Sequence, residues 1–287
     1  MIIGISGKIG SGKDAVGKLI QHLICESKGL YIQEYQILKE GNNPDNLERA
    51  TLLEYLNNVP QSLQQQSGWE IKRFAGKLKE IVALLTGCNV LDLESQEFKN
   101  RELDKNWWTY KHLDTGTGAR PKFEYTERSC NNLSPEELAG LGDRITKPTY
   151  RSLLQAIGTD SVRNIIGDNT WINALFADYK GVFRGGGGLS DDDLTQDYPN
   201  WIIPDTRFPN EADAIKQNGG ILIRVNRNWR FEHGLKVVHN LIPTSEQHPS
   251  ETSLDNYEFH HVIDNDGTIE ELVEKVRKIL LQENIIQ

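Results

Sequence analysis

Near its start the chain reads Gly7-Lys-Ile-Gly10-Ser11-Gly12-Lys13-Asp14, a match to G-x-x-x-x-G-K. The string lies directly after an apolar run at residues 2–6. It directly precedes Val16, Leu19, Ile20, Leu23 and Ile24 at helical spacing. Few backbone geometries suit it. The glycines let the chain curl so that successive N–H groups point inward at an anion, and the following helix adds the positive end of its dipole. Lys13 brings a mobile positive charge to the terminal phosphates, where charge shifts during transfer. Gly7, Gly10, Ser11, Gly12, Lys13 and Asp14 therefore form the candidate phosphate-binding loop. The strand–loop–helix context is what the motif requires. Asp14 stands where Ser or Thr usually ligates magnesium. A carboxylate there can hold the ion, pair with a nearby base, or act as a first-turn acid favoured by the helix dipole.

A strand followed by an amphipathic helix recurs along the chain. Glu70–Phe74 reads as a strand, followed by the stripe Leu78, Ile81, Val82, Leu85 that Gly87 stops. Tyr150–Ile166 is helical in pattern, with Gly158 as a possible break. Trp201–Ile203 and Ile221–Val225 read as strands around a helix that opens near Pro209 and ends at Gly219-Gly220. Val262-Ile263 is a weaker strand. Thr268 and Glu271 stand in capping-box spacing before Ile269, Leu272, Val273, Val276 and Leu280. This alternation predicts an α/β fold, a central parallel sheet covered on both faces. Residues 1–287 read as a single domain, with about 103–148 an irregular insertion, a candidate lid or substrate-binding subdomain. Residues 184–200 read as a flexible Gly/Asp-rich loop.

Composition narrows the function classes. With 37% hydrophobic and 25% charged residues and a net charge of −9, the chain is no general binder of polymeric nucleic acid or of membrane surfaces. Any anion site must then concentrate its positive charge locally. The cysteines Cys25, Cys88 and Cys130 form no metal or disulfide pattern, and no apolar run reaches transmembrane length. With no signal-peptide pattern at the N-terminus either, a cytoplasmic protein is expected.

The second acidic candidate is Asp205, at the end of Trp201-Ile-Ile-Pro-Asp. A carboxylate at the tip of a central parallel strand lies where such sheets bind ligands, placed to act on magnesium or its waters. Arg207, Asn210 and Glu211 converge near it, against the plainer reading of a turn residue. Lys13, Asp14, Asp205 and Arg207 are the catalytic candidates, and Asp14 and Asp205 the metal candidates. For a second anionic ligand, Arg151 and Gln155 share a helix face, one offering a fork for phosphate and the other an amide for a base edge. Arg163, Lys79, Trp171 and Glu211 complete that set, although a Trp in Trp171-Ile-Asn-Ala-Leu also reads as core. Arg224, Arg227 and Arg230 are lid candidates. His248-Pro-Ser-Glu251 is a distinctive string without zincin spacing. His260-His261 reads as strand surface, and no Ser-His-Asp arrangement has motif support.

These blocks, in order, resemble the bacteriophage-type deoxynucleoside monophosphate kinases. The resemblance runs through Ser6–Asp14, Phe74-Ala75-x-x-Leu78-Lys79-Glu80 and Arg151-x-Leu-Leu-Gln155-x-x-Gly158-Thr159-x-x-x-Arg163. It continues through Trp171, Asp205-x-Arg207-Phe208-x-Asn210-Glu211, His248-Pro-Ser-Glu251 and Asp264-Asn265-Asp266-Gly267-Thr268. It implies a P-loop kinase fold, transfer of the ATP γ-phosphoryl group to a deoxynucleoside 5′-monophosphate, magnesium, and a homodimer in the cytoplasm, that of a host cell if the source is viral. By analogy it sets Asn265 and Gly267 near ATP. Two alternatives stand beside it. One is a P-loop kinase for another small acceptor such as dephospho-coenzyme A, which would require a proton acceptor such as Asp14. The other is a non-catalytic nucleotide-binding switch.

Overall fold

The computed structural model describes residues 1–30, 52, 56–57, 60–114, 124–184, 195–227 and 249–287. In chain order its strands are β1 (Ile2–Ser6), β2 (Trp69–Ile71), β3 (Thr109–Asp114), β4 (Glu124–Ser129), β5 (Ile145–Thr146), β6 (Val182–Arg184), β7 (Thr195–Asp197), β8 (Asn200–Ile203), β9 (Ile221–Asn226) and β10 (His261–Asp264). The helices are α1 (Lys13–Ser27), α2 (Pro60–Ser67), α3 (Gly76–Thr86), α4 (Gln96–Lys99), α5 (Pro135–Leu141), α6 (Tyr150–Gln155), α7 (Thr170–Phe176), α8 (Pro209–Gln217), α9 (Pro249–Thr252) and α10 (Ile269–Gln282). They divide between two compact units, one of Met1–Phe74 with Ile172–Gln287, the other of Ala75–Trp171.

The first unit is built on a five-stranded sheet in the order β10-β9-β1-β8-β2, every pairing parallel. The central strands β1, β8 and β9 are mostly apolar at successive positions because both faces are covered, whereas the edge strands β2 and β10 are partly polar and half-exposed. Ile3, Ile5, Ile202, Ile223 and Val225 point into one cluster with α1 and α10. The alternating Ile2, Trp201, Ile203 and Leu222 enter a second cluster with Ala212, Ile215, Ile172 and Leu175. The period of two in the pleat thus distributes one apolar run between two cores. Each fully buried side chain contributes roughly 1.5–3 kcal/mol. With β1 central and β8 beside it, the tip of β8 falls next to the loop that leaves β1. This is the α/β sheet expected from the sequence, consistent with a P-loop kinase fold.

Element ends follow the punctuation in the sequence. α3 stops at Gly87, which takes the left-handed conformation at φ 76°, and Thr268 caps α10 by accepting the Glu271 N–H at 3.3 Å. β2 is shorter than the expected Glu70–Phe74. The stripe on α3 is only half realised: Val82 is fully buried, whereas Ile81 and Leu85 are exposed.

In the second unit the described residues of 103–148 carry regular structure. β3 pairs antiparallel with β4 and with β5, and α5 follows with a complete capping box between Ser134 and Glu137. Its pairing places Lys111 opposite Glu127 and Tyr110 opposite Arg128, so it lacks the apolar alternation that betrays a strand. Tyr150–Ile166 is helical throughout. Gly158 does not break it; instead the α-helix widens at Ala156–Ile166 into a π-helical segment. Of 184–200, the described ends form the antiparallel pair β6–β7. Arg230 and His248 lie outside the described residues. Among the described residues no helix is long and apolar enough to cross a membrane.

Candidate active site

The loop between β1 and α1 is held by the backbone it turns on. Gly10 and Gly12 adopt left-handed φ angles of 77° and 93°, and the Ser11 N–H donates to the Lys8 carbonyl at 3.1 Å. Gly12 has a second constraint, since a Cβ there would lie 2.5 Å from Nδ2 of Asn265. Asn265 is 2% exposed and donates that amide to the Ser11 carbonyl at 2.8 Å. The structure thus sets Asn265 beneath the loop as its support. Gly267 lies in the turn before α10, beside the Glu271 carboxylate. Ser11 Oγ is buried without a hydrogen-bond partner, an unsatisfied group of the kind a bound polar ligand completes.

Lys13 opens α1 and is 8% exposed. Burial pulls its pKa below the ordinary lysine value, and the neighbouring Arg207 adds to this. Asp14, Glu251 and Asp205 act in the opposite sense. The ammonium is thus a desolvated cation between a second cation and three carboxylates. Burial strips the ammonium of hydration, and an incoming polyanion would supply the solvation it lacks.

Asp205 follows β8, whose Ile203 stands opposite Gly4 of β1. Its Oδ1 accepts the Phe74 N–H at 3.0 Å, which fixes the carboxylate at the strand tips. Glu211, expected as a substrate ligand, is 3% exposed; its Oε2 accepts the N–H groups of Arg207 at 2.7 Å and Phe208 at 3.1 Å. It caps the start of its own helix and thereby orients the Arg207 backbone. Asp14 pairs with Arg73, Nη2 to Oδ1 2.7 Å, the base-paired state among its expected roles. Arg73 was not singled out from sequence, though a base just past a parallel strand is a recognisable signal.

Arg224 does not behave as a lid residue. It is a strand residue of β9 pinned from two sides, Nη1 to Ser6 Oγ at 3.0 Å and Nη2 to Asp255 Oδ1 at 2.7 Å. A side chain so held is fixed to the sheet, on a strand paired on both sides. Arg227 lies one residue past the strand. The site also includes a residue the sequence reading quoted without a role. Glu251 accepts the Ile9 N–H of the loop at 2.8 Å through Oε2 and pairs with Arg207 through Oε1.

In the second unit, Arg151 donates to Asn100 Oδ1 at 2.9 Å and to Gln96 Oε1 at 2.6 Å, so its fork is aimed by two neutral side chains. Gln155 is exposed on the same helix, and Arg163 lies in the π-helical segment. Lys79, 9% exposed, pairs with Glu94 at 2.7 Å. Trp171 is 7% exposed and its indole N–H donates to the Gly158 carbonyl at 2.9 Å. The structure places it as a packing residue that holds the widened helix, the core reading of that tryptophan.

Among the described residues no group of three or more His, Cys, Asp or Glu side chains is gathered for a metal ion. Magnesium bound with a nucleotide needs no such cage, because phosphate oxygens and waters supply most of its ligands and one or two carboxylates the rest. Asp205 and Asp14 beside Lys13 fit that requirement.

A sequence model of the family described as deoxynucleotide monophosphate kinase matches residues 122–276, just over half of the chain. The matched span contains Arg151, Asp205, Arg207, Glu251 and Asn265 and begins after the phosphate-binding loop. The deoxynucleotide monophosphate kinase of Enterobacteria phage T4 is 32% identical over 132 residues, 46% of this chain and 45% of the relative. That of Escherichia phage RB69 is 28% identical over 132 residues, with the same coverage. A protein of Acanthamoeba polyphaga mimivirus, assigned provisionally to the same activity, is 30% identical over 163 residues, 52% of this chain and 76% of its own. The match thus spans under half the length of both phage relatives. With the family pattern covering just over half of the chain and running through Asp205 and Arg207 beside Lys13, the chain belongs to the deoxynucleotide monophosphate kinase family.

Proposed function

We propose that the protein transfers the γ-phosphoryl group of ATP to a deoxynucleoside 5′-monophosphate, giving the diphosphate and ADP. The observation that carries this reading is the convergence of Lys13, Asp205 and Arg207 at the tips of the adjacent central strands β1 and β8. The acceptor is itself a phosphate oxyanion, so the reaction asks for no strong general base. It asks for two anions to be brought together and neutralised where charge develops.

In this reading the loop N–H groups and Lys13 hold the β- and γ-phosphates, and Arg207 balances charge on the group in transfer. Asp205 and Asp14 are the residues that would hold magnesium, which would supply further charge neutralisation when bound with the nucleotide. Lys79, Arg151, Gln155 and Arg163 are the proposed acceptor-binding groups. Arg151 is the best oriented of them, because Gln96 and Asn100 aim its guanidinium without neutralising it. The reading includes a cytoplasmic homodimer.

The test is a coupled ADP-release assay with ATP and magnesium against the four deoxynucleoside monophosphates, the ribonucleotides and dephospho-coenzyme A. Turnover on a deoxynucleotide that disappears in Lys13→Ala is the expected result. Turnover on dephospho-coenzyme A alone would transfer the reading to a hydroxyl acceptor. ATP binding without turnover on any acceptor would leave a nucleotide-binding switch.

A further inference from the structure

The carboxylates of the segment 251–255 are engaged in a way that the proposed reaction does not itself account for. Glu251, with a side chain 15% exposed, uses its two oxygens on two different partners. Oε2 accepts the Ile9 N–H of the phosphate-binding loop at 2.8 Å, and Oε1 receives Nη1 of Arg207. Four residues on, Asp255 repeats the pattern. Its Oδ2 lies 3.3 Å from Lys8 Nζ of the same loop and its Oδ1 2.7 Å from Nη2 of Arg224. Each carboxylate thus spans from the loop to an arginine carried by a neighbouring strand segment.

The electrostatics give the arrangement a purpose. Lys13 and Arg207 are like charges close enough to perturb one another. Left alone, a long arginine side chain beside a buried ammonium swings away toward water. A carboxylate hydrogen-bonded to both the loop backbone and the guanidinium opposes that repulsion, and it sets the distance between the arginine and the loop.

We propose that Glu251 is a positioning residue for phosphoryl transfer: one carboxylate ties the Arg207 guanidinium to the outer limb of the phosphate-binding loop and holds it beside Lys13. Asp255 acts in parallel between Lys8 and Arg224. The proposal rests on the reading of the chain as a kinase, because it assigns Glu251 an effect on the transfer step. Glu251, with its two oxygens on Ile9 and Arg207, acts through Arg207. Misplacing a charge-stabilising group by about 1 Å costs on the order of 100-fold in rate, and that scale sets the expectation.

The experiment is a double-mutant cycle in the full chain: Glu251→Ala, Arg207→Ala and the double variant, each measured for kcat, KM, equilibrium ATP binding and Tm. Glu251→Ala is expected to lower kcat by roughly 10- to 100-fold while ATP affinity changes by less than about threefold. Adding Glu251→Ala to Arg207→Ala is expected to lower kcat by no more than about threefold further, since the residue it positions is already gone. Glu251→Gln keeps the size but accepts only one of the two hydrogen bonds; it should fall between wild type and Ala, and it carries the test if the alanine variant does not fold.

A kcat for Glu251→Ala within twofold of wild type overturns the proposal, and so does a Glu251→Gln value within twofold where the alanine variant does not fold. So do losses that multiply fully in the double variant, or a loss of Tm and ATP affinity that accounts for the whole rate effect. A wild-type protein that binds ATP and turns over no acceptor overturns the kinase reading first, and the proposal with it. That outcome is distinguished because it appears before any variant is made.

Discussion

The sheet unit and the Ala75–Trp171 unit bury their apolar residues on different scales. In the sheet unit the strands feed two separate clusters, and Ile3, Ile5, Ile202, Ile203 and Leu222 reach 0% exposure. Among the described residues of the second unit, the cluster buries Val82, Ala83 and Leu93, ringed by half-buried side chains such as Leu78, Phe98, Tyr150 and Leu153, with Leu103, Cys130 and Trp171 buried outside it. The catalytic candidates Lys13, Asp205 and Arg207 belong to the heavily buried frame and the proposed acceptor groups to the thinly buried one. A phosphate loop with a desolvated lysine requires a frame that does not yield, whereas a small core opens locally at lower free-energy cost.

The largest expected effect breaks this comparison at its catalytic end. Lys13→Met should lower kcat/KM by at least about 1,000-fold, the scale of losing a charge-stabilising group in transfer. The same substitution should leave the fold intact and raise stability at neutral pH. The sign follows from the lowered pKa of Lys13. A folded-state pKa below the unfolded one penalises the folded protein while the amine is charged in both states. The penalty shrinks as pH rises through the lowered folded value and is gone above the ordinary lysine value. Melting curves of wild type and Lys13→Met should therefore converge toward high pH. A variant less stable than wild type at neutral pH would show that the surrounding carboxylates outweigh burial.

Next come the cores themselves. Leu222→Ala in the sheet unit should cost about 3–5 kcal/mol, because α8 and the strands around it cannot collapse into the space. Leu93→Ala, equally buried, should cost about 2 kcal/mol, because its half-buried neighbours can relax toward the hole. Urea unfolding gives the totals, and amide exchange should place the Leu93 loss within Ala75–Trp171. Equal costs would erase the distinction between the units.

The same contrast governed what was legible beforehand. The central strands β1, β8 and β9 were visible as short, mostly apolar runs because burial on both faces leaves little room for polar residues, whereas the edge strands Trp69-Glu-Ile71 and His261-Val-Ile-Asp264 carry polar residues and gave weaker signals. Gly87, Pro209 and Thr268 marked helix ends through local backbone chemistry. The positions of Lys13 and of Asp205 were readable for the same reason: one is set by a motif between strand and helix, the other by a strand end. By contrast β3 and β4 pair polar residue with polar residue, such as Lys111 with Glu127, so no periodicity announced them. Glu211 and Arg224 were given substrate and lid roles because sequence shows a charge but not its partner. Glu211 proved to cap its own helix and Arg224 to be pinned to Ser6 and Asp255. Glu251 was visible as part of a distinctive string, yet its link to Ile9 spans 242 residues. No local rule reaches that far.

A smaller effect is expected at the π-helical segment. A Cβ on Gly158 would come within 2.7 Å of Leu78 Cδ2, the mobile end of a side chain, so Gly158→Ala should cost about 1–2 kcal/mol. Trp171→Phe, which deprives the Gly158 carbonyl of its indole donor, should cost about 1–2 kcal/mol. Both losses should appear as faster amide exchange within the second unit, with ATP affinity within twofold of wild type. A matching drop in ATP affinity would mean that the segment also supports the phosphate loop.

The smallest stability effect offers the sharpest question about the second unit. Lys79 and Glu94 form a pair with side-chain exposures of 11% and 50%. With one partner in water, screening leaves the pair worth about 1 kcal/mol or less. Glu94→Gln should therefore move Tm little, while it keeps an oxygen that can accept a hydrogen bond from the ammonium. What changes is the charge that Lys79 presents. If Lys79 meets the acceptor phosphate, Glu94 competes with that phosphate for the ammonium, and removing its charge should lower KM for the deoxynucleotide by about two- to fivefold with kcat little changed. Raising ionic strength should shrink the difference, because one side of the competition is exposed. An unchanged KM at low salt would remove Lys79 from the acceptor site and leave Arg151, aimed by Gln96 and Asn100, as the leading acceptor-phosphate group on the second unit.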